Sequence, residues 1–499
     1  MSTSALTQPK STETGPSHRW LVLVVVSIAQ LMVVLDATVV NIALPSAQAD
    51  LGFDNSQRQW VVTAYALAFG SLLLLGGRIG DIAGRKQTFL IALVAFAAAS
   101  ALGGAAPSFA VLVIARTLQG VAAAMLAPAA LGTLVTTFHN PRDRGRAFGV
   151  FGTVAVAGGA VGLILGGVLT QYLSWRWCMY VNVFFAAAAL VGALVYMSEV
   201  KPLVRPQVDI RGTALAGIGL FSLVFGFSQA EIDGWASTVT VVSLVLGVAL
   251  LVAFVRVEAR TDHALLPLRV VANRSRGMAF AAVGIGGLAM FGLFLFLTYY
   301  LQLVKHFSPV TSGLAFLPTI ACVMISSNTS NIVTLPRFGP RIVITVGMVM
   351  GGLGLGYLSR ITVNSSYVGG VLPSLILMGL GMGMVMAPSM NTATAGVQPE
   401  DSGVAAALVS TMQQVGGSIG TAVLSTIAAS VTTSYASSHS PVAGFNAVAS
   451  THGYATTFLV SSLVFAAGSI LAGSLFPSKA RLLAMRESAA LAAATVTSG

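Results

Sequence analysis

"WLVLVVVSIAQLMVVLDATVVNIALP", residues 20–45, carries a single formal charge, Asp36. About 20 apolar residues in a helix span the hydrocarbon core of a bilayer, about 30 Å thick, so the stretch reads as a membrane-crossing helix. A carboxylate near the middle of such a helix costs about 2.5–3.5 kcal/mol on insertion scales. The sequence carries that cost at Asp36, and the rest of the chain has to explain why.

The chain is 499 residues long, 56% hydrophobic and 8% charged, with a mean hydropathy of +0.86. Soluble domains carry about 25% charged residues, so these values place the protein in a membrane. Apolar stretches long enough to cross recur at 20–44, 59–77, 88–106, 108–137, 147–173, 177–198, 212–230, 238–256, 277–304, 310–333, 342–359, 367–395, 404–433 and 454–476. The expectation is an all-α integral membrane protein of fourteen spans, with both termini on one side.

The net charge of +11 is a topology signal. With a cytoplasmic N-terminus, the 26 Lys and Arg fall in cytoplasmic segments except Arg58, Arg176, Lys305 and Arg360 outside and Arg116 within a span, which is the positive-inside asymmetry. The basic residues lie in short loops, with no basic domain able to dock a duplex, so nucleic acid is excluded as a partner. Cys178 and Cys322 lie in or beside different spans and give neither metal spacing nor a disulfide framework. The first apolar run is too long for a signal peptide.

Two six-span bundles are expected at 20–198 and 277–476, with a linker at 199–276 that holds two extra transmembrane helices. Polar tails at 1–19 and 477–499 flank them on the cytoplasmic side, the first read as disordered, and the 434–453 loop reads as mobile. A six-plus-six plan with chemistry near the midplane is the pattern of transporter repeats.

Asp36 precedes Pro45 by nine residues, and Arg116 follows the start of its span at Ser108 by eight. At 1.5 Å per residue both lie about 12–13 Å from the same membrane face. Opposite charges at matching depth are expected to pair. A cationic neighbour favours the ionised carboxylate, whereas removal from water favours the protonated one. A carboxylate held between those influences suits proton coupling, and a structural ion pair is the plainer alternative. Gln119, one turn from Arg116, is placed to hold the guanidinium. Asn41 lies about 140° round the helix from Asp36 and must serve another contact.

"GGRIGDIAGRKQ", 76–87, offers Gly77, Gly80 and Gly84 for a tight turn, with Asp81 among Arg78, Arg85 and Lys86. Asp81 could latch onto a facing helix. Gly158, Gly162 and Gly166 repeat every four residues in span five, a ridge that admits a neighbouring helix closely. Met378, Met382, Met386 and Met390 make a pliable stripe suited to a binding wall or to plain packing.

Together these stretches resemble the major facilitator superfamily, and within it the fourteen-span drug:proton antiporters of bacteria. "LDATVVNIALP" (35–45) resembles the first-span signature, "GRIGDIAGRK" (77–86) the loop between spans two and three, and "RTLQG" (116–120) the fourth-span arginine motif. "WVVTAYALA" (60–68), "WRWCMYVNV" (175–183), "YYLQLVKHFSPVTSGLAFLP" (299–318) and "QQVGGSIGTAV" (413–423) extend the likeness over nearly the whole chain. Departures are Ile82 in place of a basic loop residue, Phe184 in place of a proline, and Leu163 in place of the proline in the span-five antiporter motif, which here reads "GLILGG" (162–167) and ends on Gly166 and Gly167.

The resemblance implies a major facilitator fold in a bacterial plasma membrane, alternating access, proton-linked roles for Asp36 and Arg116, and a gate built from Gly77, Asp81, Gly84, Arg85 and Lys86. The expected activity is proton-driven export of a bulky amphipathic compound such as an antibiotic, by a monomer with no cofactor beyond the proton gradient. Spans nine to fourteen hold no acidic residue, so about one proton per cycle and a neutral or singly charged substrate are expected. Candidate cavity residues are Tyr299, Gln302, Asn328, Met386, Asn391, Gln413 and Gln414. Proton-coupled uptake and a non-transporting scaffold are the rival readings. The six histidines fall in tails, loops or span ends, and no Walker-type phosphate loop occurs, so neither an enzyme nor an ATP motor is expected.

Overall fold

The computed structural model describes residues 16–54, 57–138, 140–198, 209–261, 266, 268–395, 397, 402–439 and 445–477, and among them sixteen α-helices form. In chain order they are α1 (Pro16–Leu51), α2 (Arg58–Ala83), α3 (Arg85–Gly104), α4 (Phe109–Thr137), α5 (Pro141–Tyr172), α6 (Trp177–Tyr196), α7 (Ile210–Ile232) and α8 (Thr238–Glu258). There follow α9 (Leu268–Val271), α10 (Arg274–Tyr299), α11 (Pro309–Ala315), α12 (Leu317–Thr329), α13 (Leu335–Leu358), α14 (Leu372–Thr394), α15 (Ser402–Ser438) and α16 (Phe445–Leu475). A chain in lipid must satisfy its backbone polar groups internally, which helices do within one segment.

Local sequence sets the helix ends. Asn273 caps α10 by accepting from the backbone N–H groups of Ser275 and Arg276. Ser308 caps α11 through Thr311 N–H, with Pro309 as the first helical residue. Gly84, at φ 95°, breaks the chain between α2 and α3 in a conformation few other residues adopt.

Among the described residues, twelve helical stretches are long and apolar enough to cross a membrane. One of them, Pro309–Leu358, is 50 residues long and turns at Gly339, which has φ 77° and ψ 167°. Counted as two crossings and joined by α2, it is consistent with fourteen spans. Of the two expected tails, residues 1–15 and 478–499 lie outside the described residues, while α1 already begins at Pro16. The expected 434–453 loop is largely helical, with α15 running to Ser438 and α16 starting at Phe445.

Helix pairing repeats. In the first group α1 packs on α5 and α6, α2 on α4, and α3 on α4 and α6. In the last group α10 packs on α15 and α16, α12 on α14, and α13 on α14 and α16. The patterns coincide when α10 stands for α1, α11–α12 for α2, and so on in order, as in a duplicated six-helix unit.

The two groups meet along two seams, α2 with α15 and α5 with α11, and each is the image of the other under that correspondence. At the α5–α11 seam the backbones come close, with Gly167 against Pro309 and Val310, and Gly313 against Leu163. The end of the assembly that carries Arg58 is also bridged. There Tyr299 Oη donates to Gln48 Oε1 (2.6 Å), Gln302 Nε2 to Ile42 O (3.0 Å), and Val310 N to Gln171 Oε1 (3.3 Å).

The extra pair explains its featureless sequence. α7 packs on α8, α2 and α15, so it stands over the α2–α15 seam. α8 presents Val241, Val242, Val245, Val248, Val252 and Val255 outward, an apolar face that lipid solvates.

Candidate functional site

Asp36 and Arg116 meet inside the first group. Arg116 NH1 lies 2.6 Å from Asp36 Oδ2, and the two side chains are 2% and 0% exposed. Asp36 Oδ1 accepts from Gln119 Nε2 at 2.9 Å and Asn182 Nδ2 at 2.8 Å. The carboxylate therefore takes three donors, from α4 twice and α6 once. Gln119 is itself fixed, its Oε1 accepting from Arg116 NH1 (2.9 Å) and its Nε2 donating to Ser100 Oγ of α3 (2.7 Å). Arg116 Nε donates to Val61 O of α2 (3.0 Å), and its guanidinium carbon lies 4.4 Å from the centre of the Tyr65 ring.

Five helices thus converge on one carboxylate. Such a buried network rigidifies its surroundings when satisfied and is costly when it is not. Here it is nearly satisfied: Asn182 Oδ1 and Tyr65 Oη are buried without a hydrogen-bond partner among the described residues. Sequence alone does not mark Ser100, Asn182 or Tyr65, because neutral polar residues in apolar helices carry no charge. Asn182 stands in the quoted "WRWCMYVNV", where its type was the one available signal. Replacing it with leucine removes one charge-assisted hydrogen bond. Asn182→Leu is expected to cost about 1.5–3 kcal/mol, measured as a lower unfolding temperature in detergent with helix content kept.

The other residues singled out from sequence are dispersed. Asn41 Nδ2 donates within its own helix to Ala37 O, at 3.0 Å. Tyr299 and Gln302 belong to the bridges at the Arg58 end. Asn328 is exposed and bonded to Met324 O of its own helix (3.0 Å), and Asn391 is exposed near the end of α14. Met386 and Gln413 approach α10 at Gly286 and Gly287, and Gln414 approaches α2 at Gly70. These last three surround a region where α10, α14 and α15 pack together.

The α2–α3 turn is a clamp on neighbouring helices. Arg85 NH1 donates to Gly132 O of α4 at 2.6 Å. Lys86 Nζ donates to Met197 O at 2.6 Å and Leu194 O at 3.3 Å, the free carbonyl end of α6, where a cation complements the helix dipole. Gly77 backs onto Pro128 of α4. The side chain of Asp81 lies outside the described residues. In α5 the glycines split between two partners. Gly158, Gly162 and Gly166 face Leu31, Val34, Leu35, Thr38 and Val39 of α1, whereas Gly167 faces α11 of the other group.

A duplicated helical bundle of membrane-crossing length, with two seams and a buried ion pair, is the architecture of a membrane transporter. The model of the Major Facilitator Superfamily matches residues 26–421, and the chain belongs to that family. It is 47% identical over 460 residues to the puromycin resistance protein of Streptomyces alboniger, covering 92% of this chain and 90% of that one. It is 40% identical to the cephamycin export protein of Amycolatopsis lactamdurans, over 82% and 85% of the two chains. Among solved structures, the POT family transporter PepTSo superposes with a TM-score of 0.67 at 16% identity, over 92% of this chain and 99% of that one. That likeness concerns the fold alone.

Proposed function

We propose that the protein exports an antibiotic-like, bulky and amphipathic compound by alternating access, driven by protons that load and leave Asp36. The observation that carries this reading is the carboxylate itself: fully buried, paired with Arg116 and held by amides from two helices. Buried pairs are poor stabilisers compared with apolar packing, so stability alone gives little reason for it. Relatives named for puromycin resistance and for cephamycin export support an outward direction and an antibiotic-like cargo.

In this scheme the termini are cytoplasmic, as the positive-inside rule requires, and the Arg58 end faces outward. Ionised Asp36 uses all three donors. A proton arriving on it needs an acceptor, and Arg116 has none to offer. Asn182 can supply one by turning its amide, so that Oδ1 faces the new O–H. Loss of the negative charge also releases Arg116, which loosens α1 from α4 and biases the packing of the two groups. The cargo passes between the groups, with Gln414 where α15 faces α2.

Everted vesicles with an acidic lumen test this directly. Fluorescent lipophilic cations and neutral antibiotics are expected to accumulate in vesicles containing the protein and to leak out when a protonophore is added. Accumulation that survives the protonophore, or occurs only with the gradient reversed, would overturn proton-driven export.

A further inference from the structure

Arg58 opens α2 and is 5% exposed. Its guanidinium carbon lies 4.2 Å from the centre of the Tyr299 ring, 5.7 Å from Phe296 and 5.8 Å from Tyr454. Arg58 belongs to the first group of helices. The three rings belong to α10 and α16 of the other group. They are buried, and Phe296 and Tyr454 pack against each other with centroids 5.9 Å apart. An aromatic box on one group therefore encloses a cation supplied by the other, beside the hydrogen bond from Tyr299 to Gln48.

This arrangement has a consequence once the two groups part at that end, a step that rests on the alternating-access reading above. Arg58 withdraws with α2, whereas the three rings stay together because they are anchored in one group. What remains is an open box sized for a small delocalised or alkylated cation. Faces of aromatic rings attract such cations, and quaternary ammonium groups are bound in cages of this kind. A neutral molecule of the same shape lacks that attraction.

We propose that Phe296, Tyr299 and Tyr454 form a binding site for an organic cation on the outward-open protein, and that Arg58 is its built-in competitor. The site closes when Arg58 fills it and is free when the Arg58 end is open. A cation in the box holds that end open. The same chemistry can come from a cationic cargo on its way out or from a cation already outside, and the side of addition separates them.

The test uses the full chain in proteoliposomes, with Cys178 and Cys322 replaced by alanine and spin labels introduced through Tyr172→Cys and Val368→Cys. These exposed positions lie on different groups at the Arg58 end. Choline is titrated from outside against its neutral isostere 3,3-dimethyl-1-butanol and against sodium chloride. Choline is expected to lengthen the distance between labels, and the two controls are expected to leave it unchanged. Phe296→Leu or Tyr454→Leu should raise the half-effective choline concentration at least about fivefold.

Arg58→Leu should shift part of the population to the open end without choline and lower the half-effective concentration for the remainder, since the competitor is gone. A purely structural Arg58 would open the end but leave no choline response. Absence of any choline effect in both the parent and Arg58→Leu would overturn the proposal, as would equal titrations in the ring variants. Choline loaded inside reports the exit route if it acts only in actively transporting vesicles, and the outside site alone if it has no effect. The export reading fails separately, through loss of protonophore-sensitive uptake while the label response to choline persists.

Discussion

Asp36→Asn is expected to abolish uphill transport while leaving a folded protein. Asparagine matches aspartate in shape and keeps a hydrogen-bonding group at both positions, but it cannot take up and release a proton. Its amide oxygen can face Arg116, and its NH₂ can donate to Asn182 Oδ1 once that amide turns, while Gln119 gives up its hydrogen bond to residue 36 and keeps those to Arg116 and Ser100. The network around it therefore loses one hydrogen bond and keeps most of the others. It loses the ion pair: a buried charge left without its partner costs about 3–5 kcal/mol. Part of that cost is recovered through the Val61 carbonyl, the Gln119 oxygen and the Tyr65 ring that already hold Arg116. The measurement is vesicle uptake under an imposed pH gradient, beside thermal unfolding in detergent. Protonophore-sensitive uptake that persists in a folded Asp36→Asn protein would show that the carboxylate is structural and that coupling resides elsewhere.

The second large effect is expected at Gly167. A Cβ placed there lies within 3.0 Å of three backbone atoms of Pro309 and Val310, and backbone cannot move aside as a flexible side chain can. Gly167→Val should therefore push α5 from α11 and penalise the state in which the Arg58 end is closed. Overpacking of this kind costs about 1–3 kcal/mol, a shift of about 5- to 150-fold between two conformations. Net transport should fall accordingly, and labels at Tyr172→Cys and Val368→Cys should report a longer separation. Gly152→Val, in the same helix with nothing within 4 Å of its Cβ, is the matched control and should transport normally. Equal behaviour of the two variants would show that the α5–α11 seam is not a moving contact.

The helical, many-spanned architecture and the order of its elements were legible because lipid forces long apolar runs into helices, and the expected fourteen crossings are consistent with the twelve apolar stretches found among the described residues. The meeting of Asp36 with Arg116 was legible from sign and depth, and Gln119 from its place one turn away. Ser100, Tyr65 and Asn182 were not, since reaching them requires knowing which faces of α2, α3 and α6 turn inward, and near-uniform apolarity hides that. The same difficulty scattered the candidate cavity residues: Asn328 and Asn391 are polar in sequence yet lie exposed. The glycines of α5 announced close packing, but the division between Gly166 facing α1 and Gly167 facing α11 follows from the three-dimensional arrangement. The partners of Arg58 were likewise hidden, because its three rings come from helices more than two hundred residues away in the chain.

The duplicated halves make the two seams images of one another, but among the described residues α7 packs over the α2–α15 seam alone. A greasy molecule dissolved in the surrounding lipid thus meets a shuttered side, where α7 covers α2 and α15, and an unshuttered side along α5 and α11. Whatever enters sideways from the bilayer does so on unequal terms, and the inserted pair, silent in its own residues, makes a two-sided machine lopsided.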